Sequence, residues 1–347
     1  MSLIYTKSAI NAASERDKRV IMEQLHQVNA LRSAGDASMN ELLRITANAG
    51  RSPAEAYREF DATTKIEVNP MGEFATLTRL MQKARPVNIG KTLYEYRKSS
   101  DMDNGQTSMS GQIGVKLDHT DYGYAGVIVP VHDKGFGRSW RDVEAMRSEG
   151  FDALVDDARE AELGLMRTMN SFLFAGNAGL SVDGQKWLGL TSGSEATVDT
   201  YVPTIDISSY TATAIEIQAE IKVARDRLRI TNNCVNPVRV GVSAAAMSNM
   251  ERFVSADTWT LGTIKDLVLK LEGIAEIYID SALTGGKFIM YWDDQMGLHP
   301  VVGMGINTYA VPRQFHNSDF AFVKWSAVGF CAKTSFSGKK CVLFGNK

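Results

Sequence analysis

Two pairs of adjacent aspartates and five scattered histidines are the residues of this chain that could do chemistry. Paired carboxylates can share general acid and base roles, and histidines that meet in space can bind zinc. Adjacent side chains point apart on a helix, however, so a solvated face or a helix-end contact explains the aspartates better. No H-E-x-x-H occurs, so no catalytic residue and no metal is expected, and a metal site assembled by the fold is the lesser alternative. The pairs are Asp156-Asp157 and Asp293-Asp294, and the histidines are His26, His119, His132, His299 and His316.

The glycine motifs do not indicate a nucleotide site. The phosphate-cradling pattern G-x-x-x-x-G-K-[ST] does not occur, nor does the G-x-S-x-G of a nucleophile elbow. Gly303-Met304-Gly305 and Gly135-Phe136-Gly137 lack the third glycine and the strand-turn-helix setting of a dinucleotide fingerprint. No cofactor is therefore expected. An α/β enzyme with an unrecognised site is the alternative of a different class, and perturbed titratable groups in a deep pocket would favour it.

Cysteine usage is sparse. Cys234, Cys331 and Cys341 are odd in number and form no C-x-x-C pair. A disulfide framework is not expected, and a reduced intracellular setting during folding fits this pattern. The sequence favours three partly buried free thiols over a redox role.

The charge of the chain is nearly balanced, with 38 basic and 40 acidic residues among 347. A protein that holds nucleic acid by neutralising phosphates is usually visibly basic, so a DNA-binding module is disfavoured. No apolar run reaches the ~18 residues of a membrane span, and residues 1–10 carry no secretory signal. Neither a membrane partner nor a secretory route is expected.

The strongest periodic signal predicts one long amphipathic helix over about 151–175. Its apolar residues recur at spacings of three and four, which places them on one stripe. Gly176 follows as a C-cap glycine would. At ~1.5 Å per residue the helix would be a rod of roughly 37 Å, which is typical of architecture rather than of an active site. The stripe comprises Phe151, Leu154, Val155, Ala158, Ala161, Leu165, Met169, Phe172 and Leu173.

Two strand-like runs precede this helix. Residues 91–100 alternate in polarity, and residues 114–133 alternate again, which predicts strands. The polar residues 100–112 between them contain Asn104-Gly105, a strong hairpin signal. A long hairpin with a polar tip must pack on its own chain as an ordinary surface hairpin or on a neighbouring subunit. The candidate contact residues at the tip are Asp101, Asp103, Asn104, Gly105 and Gln106.

Three further candidates for a subunit contact lie just before the long helix, and they are Arg138, Trp140 and Arg141. Trp and Arg are favoured interface anchors. A core tryptophan beside surface arginines explains the same residues equally well.

The remaining segments are assigned more coarsely. Residues ~9–60 indicate helix broken by turns, either an arm over neighbouring subunits or a small helical subdomain on its own chain. A second helix is predicted within 205–230. Strands and helices alternate over 235–314, which implies an α/β layer, and 315–347 is strand-rich.

The order of these elements resembles the shell proteins of the Hong Kong 97 type, which comprise the major capsid proteins of tailed phages and the related encapsulins. The resemblance rests on residues 137–191, where an Ala-, Glu- and Arg-rich spine helix ends in an F-x-G segment followed by a Gly-Leu element. The matching residues are Phe174, Gly176, Trp187, Leu188, Gly189 and Leu190. The resemblance implies an α+β Hong Kong 97-type capsid fold. Its parts would be an N-terminal helical arm (1–70), an extended hairpin loop (71–135), a peripheral domain with the spine helix (136–234, completed by 315–347) and an axial domain (235–314).

What the resemblance implies about function is structural rather than catalytic. Copies of the chain would form hexamers and pentamers and close an icosahedral shell around double-stranded DNA, without sequence-specific binding. Scaffolding, portal and decoration proteins are candidate partners, and the place of action would be the virion capsid, assembled in the host cytoplasm. An encapsulin-like compartment enclosing an enzyme cargo is the alternative, and the long N-terminal region favours the phage reading over it.

Overall fold

The computed structural model describes most of the chain beyond residue 69. The chain separates by contact into units 1–65 and 66–347, and the helices and strands named here all belong to the second. The predicted N-terminal arm (1–70) lies almost wholly outside the described residues. These are residues 18–19, 22, 70–111, 114, 117–148, 152–193, 197–254 and 262–347.

Helices and strands are mixed along the described residues. The helices are α1 (Pro70–Glu73), α2 (Ala75–Met81), α3 (Trp140–Ser148), α4 (Ala153–Ala175), α5 (Ala214–Asp226, continued by a π-helical turn Arg227–Thr231), α6 (Ala244–Met250) and α7 (Ile264–Leu269). The strands are β1 (Arg85–Pro86), β2 (Leu93–Ser99), β3 (Tyr122–Ile128), β4 (Val131–Arg138), β5 (Asp199–Tyr201), β6 (Val238–Val242), β7 (Ile274–Ile279), β8 (Phe288–Tyr291), β9 (Leu298–Ala310), β10 (Phe320–Ala332) and β11 (Val342–Gly345).

A four-stranded sheet in the order β1-β9-β10-β4 carries the long helix α4 on one face. Side chains on alternate positions of a strand share a face, and the residues directed at α4 follow that rule. His132 of β4 packs on Phe172 with ring centroids 5.3 Å apart. Lys324 of β10 reaches Glu162, with Nζ 2.5 Å from Oε2. The helix is therefore fixed across the sheet by apolar and ionic contacts.

A five-stranded mixed sheet in the order β5-β11-β8-β6-β7 forms the second layer, with α5, α6 and α7 around its core. Short polar residues start these helices. Thr213 and Glu216 form a capping box before α5, Thr263 and Asp266 form another before α7, and Ser243 caps α6. The predicted helix within 205–230 is confirmed. Strands and helices both occur over 235–314 as predicted, but the described elements run β6, α6, α7, β7, β8, β9 rather than in strict alternation.

The spine helix is confirmed as α4, but only part of its predicted stripe is core. Asp152 caps its start by accepting a hydrogen bond from the Leu154 N–H at 3.1 Å. Leu165, Met169 and Leu173 are almost fully buried, whereas the side chain of Val155 is 62% exposed. The predicted stripe is therefore core from Ala161 to Leu173, whereas its first turns are only partly buried or exposed. Phe151 lies outside the described residues.

The end of α4 is built from main chain. Gly176 has φ 67° and Gly189 φ 88°, a left-handed region that favours glycine. A Cβ on Gly176 would lie 2.2 Å from the Leu188 carbonyl carbon, so the Gly-Leu segment touches the helix end directly. The N–H groups of Leu190 and Thr191 donate to the carbonyls of Leu173 and Phe174 at 3.0 and 2.9 Å. Helix carbonyls that would otherwise lack partners are satisfied in this way.

The hairpin is confirmed at its base and wrong at its tip. β2 and β3 pair antiparallel from Leu93↔Ile128 to Ser99↔Tyr122. Residues 117–121, expected to continue the second strand, are not strand. The connection therefore runs over 100–121, and Asn104-Gly105 does not form a tight two-residue turn. Alternating polarity alone did not make a strand there, because no described partner strand lies opposite it.

Strands from before and after residue 314 share each of the two larger sheets. β9, in the range expected for the axial domain, pairs with β10. β11, in the range expected to complete the peripheral domain, pairs with β8 and β5. Strands were expected over 235–347, and the structure has β6, β7, β8, β10 and β11 there, together with β9, which no alternation in the sequence predicts.

The expectation of three free thiols is wrong. Cys234 and Cys341 form a disulfide between Cα atoms 5.5 Å apart, and Cys331 is a buried free thiol. The pair is separated by 107 residues and lies on different elements. Sequence spacing could not show that the fold brings these two positions together.

Candidate assembly surfaces

The β2–β3 hairpin has one face on its own chain and one face in solvent. On the inner face, the Tyr96 hydroxyl accepts a hydrogen bond from the Thr334 N–H at 3.0 Å. The Lys98 ammonium donates to the Thr334 hydroxyl at 2.5 Å, and burial lowers the pKa of Lys98. These bonds attach the base of the hairpin to the turn that follows β10.

The outer face of the hairpin carries aromatic and charged side chains. Tyr122 is 59% and Tyr124 is 70% exposed. The Arg97 guanidinium lies 4.9 Å from the centre of the Tyr122 ring, a cation–π contact. Tyrosine and arginine are the residue types most often found at energetically important interface positions. This face therefore has the residue composition of a protein-binding surface.

The tip of the hairpin holds all five predicted contact residues in solvent. Asp101, Asp103, Asn104, Gly105 and Gln106 are exposed. The tip is ordered partly by its own bonds: the Asp103 N–H donates to the Asp118 carboxylate at 2.7 Å, and two bonds of 2.8 Å join Ser100 to Asp121.

Three large apolar side chains lie among these polar residues, and the sequence analysis missed them. Met102 is 57% exposed, Leu117 is 90% exposed and Met109 is fully exposed. Met102 and Leu117 line the same hollow of the loop, and exposed apolar groups that lie together are typical of an interaction site. The available signal was the occurrence of such residues inside a Ser-, Asp- and Gly-rich loop.

The start of the spine helix is joined to β4 by Arg138. Its guanidinium donates two hydrogen bonds to the Asp157 carboxylate, one of them 2.9 Å long, and this pairing raises the pKa of Arg138. A bidentate pair of this kind fixes orientation as well as distance. Arg138 therefore positions the helix within its own chain.

Trp140 and Arg141 lie at the first turn of α3. The Trp140 N–H donates to the Asp319 carboxylate at 3.2 Å, which joins α3 to the β9–β10 loop. Trp140 is half-buried and Arg141 is exposed, with its guanidinium carbon 5.5 Å from the centre of the tryptophan ring. The structure thus brings Arg138, Trp140 and Arg141 together at one end of α4.

A joint formed by α1 and α2 connects the spine helix to the five-stranded sheet. Glu73 pairs with Arg167 of α4 at 3.0 Å. Asp280, at the end of β7, accepts hydrogen bonds from the Thr76 N–H at 2.9 Å and from the Thr76 hydroxyl at 2.5 Å. Because Asp280 is fully buried, desolvation raises its pKa. No local sequence pattern indicates this joint, whose partners are more than 90 residues apart.

An ion-pair chain runs from the same joint along the edge of the sheet. Glu276 lies 2.7 Å from Arg79 and 2.6 Å from Arg239, and Arg239 lies 2.8 Å from Asp293. The hydrogen bond from Arg79 is the main reason that the pKa of Glu276 is lowered. Asp293 is therefore part of a structural chain of charges.

The other side chains that could act in catalysis or bind a metal do not meet at one site. Asp156 pairs with Arg159, and Asp157 with Arg138, so that pair lies in separate contacts. His132 and His299 are buried on different strands, and burial lowers the pKa of His299 to about 4. Across the described part of the chain, no group of three or more His, Cys, Asp or Glu side chains could hold a metal ion.

A hollow lies beside Arg138. It has a volume of about 560 Å³ between β4 and the start of α4, and its charged lining includes Arg138 and Asp157. These two residues are bonded to each other. Of the helices that the structure describes, none is long and apolar enough to cross a membrane.

Comparison with solved structures identifies the fold. The capsid of Myoviridae phage XM1 aligns with a TM-score of 0.64 at 10% identity, covering 86% of this chain and all of that one. A chain of Microbacterium phage Oxtober96 aligns with a TM-score of 0.60 at 12% identity over 86% and 99%. A virus-like particle from Pyrococcus furiosus aligns with a TM-score of 0.51 at 14% identity over 78% and 92%. The α+β fold is therefore the Hong Kong 97-type capsid fold, as the resemblance implied.

Comparison by sequence gives a family. No curated protein matches the chain. A family of unknown function, DUF6260, matches residues 46–345, which is most of the 347 residues. The chain belongs to this family.

Proposed function

We propose that the chain is a structural shell subunit, the major capsid protein of a tailed phage. The observation that carries the proposal is a hairpin fixed at its base to a Hong Kong 97-type fold, with exposed apolar residues at its tip. By this proposal copies of the chain assemble as hexamers and pentamers into an icosahedral shell around double-stranded DNA. The virion is then the site of action, after assembly in the host cytoplasm.

The mechanism of assembly is additive binding rather than catalysis. Each subunit offers different surfaces that close under symmetry. The tip residues Asp101–Gln106 and the group Arg138, Trp140 and Arg141 are the proposed contacts, with Met102, Met109 and Leu117 providing the apolar area. Individually weak contacts repeated around a closed shell become collectively strong. Scaffolding, portal and decoration proteins are proposed as further partners.

Electron microscopy of the expressed chain tests the proposal. Closed shells or rings of subunits after size-exclusion chromatography are expected. A chain that stays monomeric at high concentration, both alone and with a co-expressed scaffolding protein, would contradict it. An encapsulin-like compartment is the alternative, and the likeness to the Pyrococcus furiosus virus-like particle supports it. Particles from the native source that contain protein cargo and lack double-stranded DNA would favour that alternative.

The tip is tested by removing its apolar groups. In the triple variant Met102→Ser, Met109→Ser and Leu117→Ser, we expect normal folding but loss of most closed shells, because all three side chains are exposed in the single chain. Melting temperature and particle yield are measured together. Met296→Ser is the matched control, since Met296 is a 64% exposed methionine in a different turn. Full shell yield from the triple variant would remove the tip from the interface.

A further inference from the structure

The disulfide joins the chain's last described strand to a distant loop. Cys341 immediately precedes β11, and Cys234 follows the π-helical turn after α5. β11 lies between β5 and β8, so it is an inner strand of the five-stranded sheet. The bond therefore holds the strand with which both β5 and β8 pair.

Cys234 is held in place by bonds that do not involve its sulfur. Its N–H donates to the Leu228 carbonyl at 2.9 Å. The Arg225 guanidinium donates to the carbonyls of Cys234, Val235 and Asn236 at 2.8, 3.1 and 3.1 Å. Gly273 leaves the space for that guanidinium, since a Cβ there would lie 2.5 Å from Nη2. The loop would keep its shape with the thiol reduced.

Cys341 is held in the same independent way. Its carbonyl accepts a hydrogen bond from the Trp292 N–H at 3.1 Å. The preceding Lys340 N–H donates to the Asn232 side-chain oxygen at 3.2 Å, and the Asn232 amide donates to Asp199 at 3.0 Å. These contacts join both cysteine segments to β5. The fold therefore places the two sulfurs together before any bond between them is needed.

We propose that Cys234 and Cys341 form a redox-operated lock on β11, open as two thiols during assembly and closed as a disulfide after release from the cell. This inference rests on the proposed function, because a shell protein assembles in a reducing cytoplasm and then meets dioxygen outside. Closing breaks two S–H bonds and forms one S–S bond. The two electrons and two protons pass to dioxygen, which becomes hydrogen peroxide.

The accessibility of the two sulfurs fits this order of events. Cys234 is 1% exposed, whereas Cys341 is only half-buried, so an oxidant reaches the pair from the Cys341 side. Closing a loop between residues 107 positions apart restricts the unfolded chain strongly, which favours the folded state. The lock thus adds stability without changing the fold.

The test compares the full-length chain in its two redox states. The protein is purified under nitrogen with a reductant, the reductant is removed, and half of the sample is exposed to air-saturated buffer. Peptide mapping after alkylation should show free Cys234 and Cys341 before exposure and a linked Cys234–Cys341 peptide afterwards. The oxidised chain should melt higher by roughly 5–10 °C.

Cys331 provides the control. It is fully buried in β10, and burial raises the pKa of its thiol to about 12. Cys331→Ala should keep the difference in melting temperature between oxidised and reduced samples. The double variant Cys234→Ser and Cys341→Ser should melt like the reduced wild type in both buffers.

Three results would overturn the lock. The peptides could stay unlinked after full exposure to dioxygen, or the linked form could melt with the reduced one. Linked peptides could also be recovered from cells lysed directly into alkylating agent, which would place closure before release. All three are read from the wild-type chain, so a variant that fails to fold does not affect them. A failure to form shells would contradict the proposed function and leave these thiol measurements valid.

Discussion

Thr76 is the residue through which the α1–α2 joint holds the buried carboxylate of Asp280. Its N–H and its hydroxyl both donate to Asp280, and its hydroxyl oxygen also lies 2.7 Å from the Tyr278 hydroxyl. A buried carboxylate is tolerated only while it has such donors. The joint is therefore sensitive to the loss of a single hydroxyl group.

Replacing that hydroxyl should destabilise the fold. Thr76→Val keeps the shape of the side chain and should lower the free energy of unfolding by about 1–3 kcal/mol, since Asp280 loses one donor. Chemical denaturation monitored by tryptophan fluorescence measures the change. Thr78→Val is the matched control, because Thr78 is exposed on the same helix. Equal effects of the two variants would show that the Thr76–Asp280 hydrogen bond does not contribute to the free energy of unfolding.

The ion pairs of Glu276 should make the stability of the fold depend on pH. Its pKa is lowered in the fold, mainly by the Arg79 hydrogen bond, so its stabilisation is present above the unfolded pKa of ~4.3. That contribution is lost as pH falls towards the lower folded-state pKa. Glu276→Gln should cost roughly 0.5–1 kcal/mol at pH 7, since the side chain is 37% exposed and solvent screens it.

The measurement is denaturation of wild type and variant between neutral and acidic pH. The difference between Glu276→Gln and wild type should shrink as the solution becomes acidic. Glu251→Gln, at an exposed site after α6, should show little difference at any pH. A gap for Glu276→Gln that stays constant into acid would contradict the assigned ion pairs.

The helix α4 has a buried side and an exposed side, and one substitution on each side tests that assignment. Leu165→Asp should abolish soluble protein or lower the melting temperature sharply, because a fully buried charge would have no partner. Val155→Asp places the same group on the same helix at an exposed position and should be tolerated. Soluble expression and thermal melting check both. Similar melting of the two variants would show that the later turns are not core.

The elements that could be predicted from sequence are those with a regular pattern of burial. The later turns of α4 are buried at helical spacing, and β6 and β8 stand out as short, mostly apolar runs. β9 was not specified because its first residues are buried on both faces and Thr308–Ala310 are exposed on both, which leaves no alternation. The joint at Thr76 and the disulfide depend on long-range contacts that no local pattern encodes.

The nearly balanced charge of the whole chain predicts weak electrostatic binding to DNA. The free subunit should show no salt-sensitive affinity for random duplex DNA beyond background, because 38 basic residues are offset by 40 acidic ones. Fluorescence anisotropy over a range of salt concentrations measures this. A steep fall of affinity with salt would instead indicate a basic surface that overall charge conceals.

Main-chain hydrogen bonds hold the last turn of α4 more firmly than its first turn, so local opening of the helix should start at its first turn. Hydrogen bonds from Leu190 and Thr191 hold its last carbonyls, whereas its first turn depends on the Asp152 cap and carries the exposed Val155. Segments with few buried contacts open at the lowest free energy. Fraying therefore begins at the Asp152 end, beside the Arg138–Asp157 pair, and reaches Gly176 last. The irregular segment Trp187–Thr191 keeps its protection for as long as the final turn of the helix does.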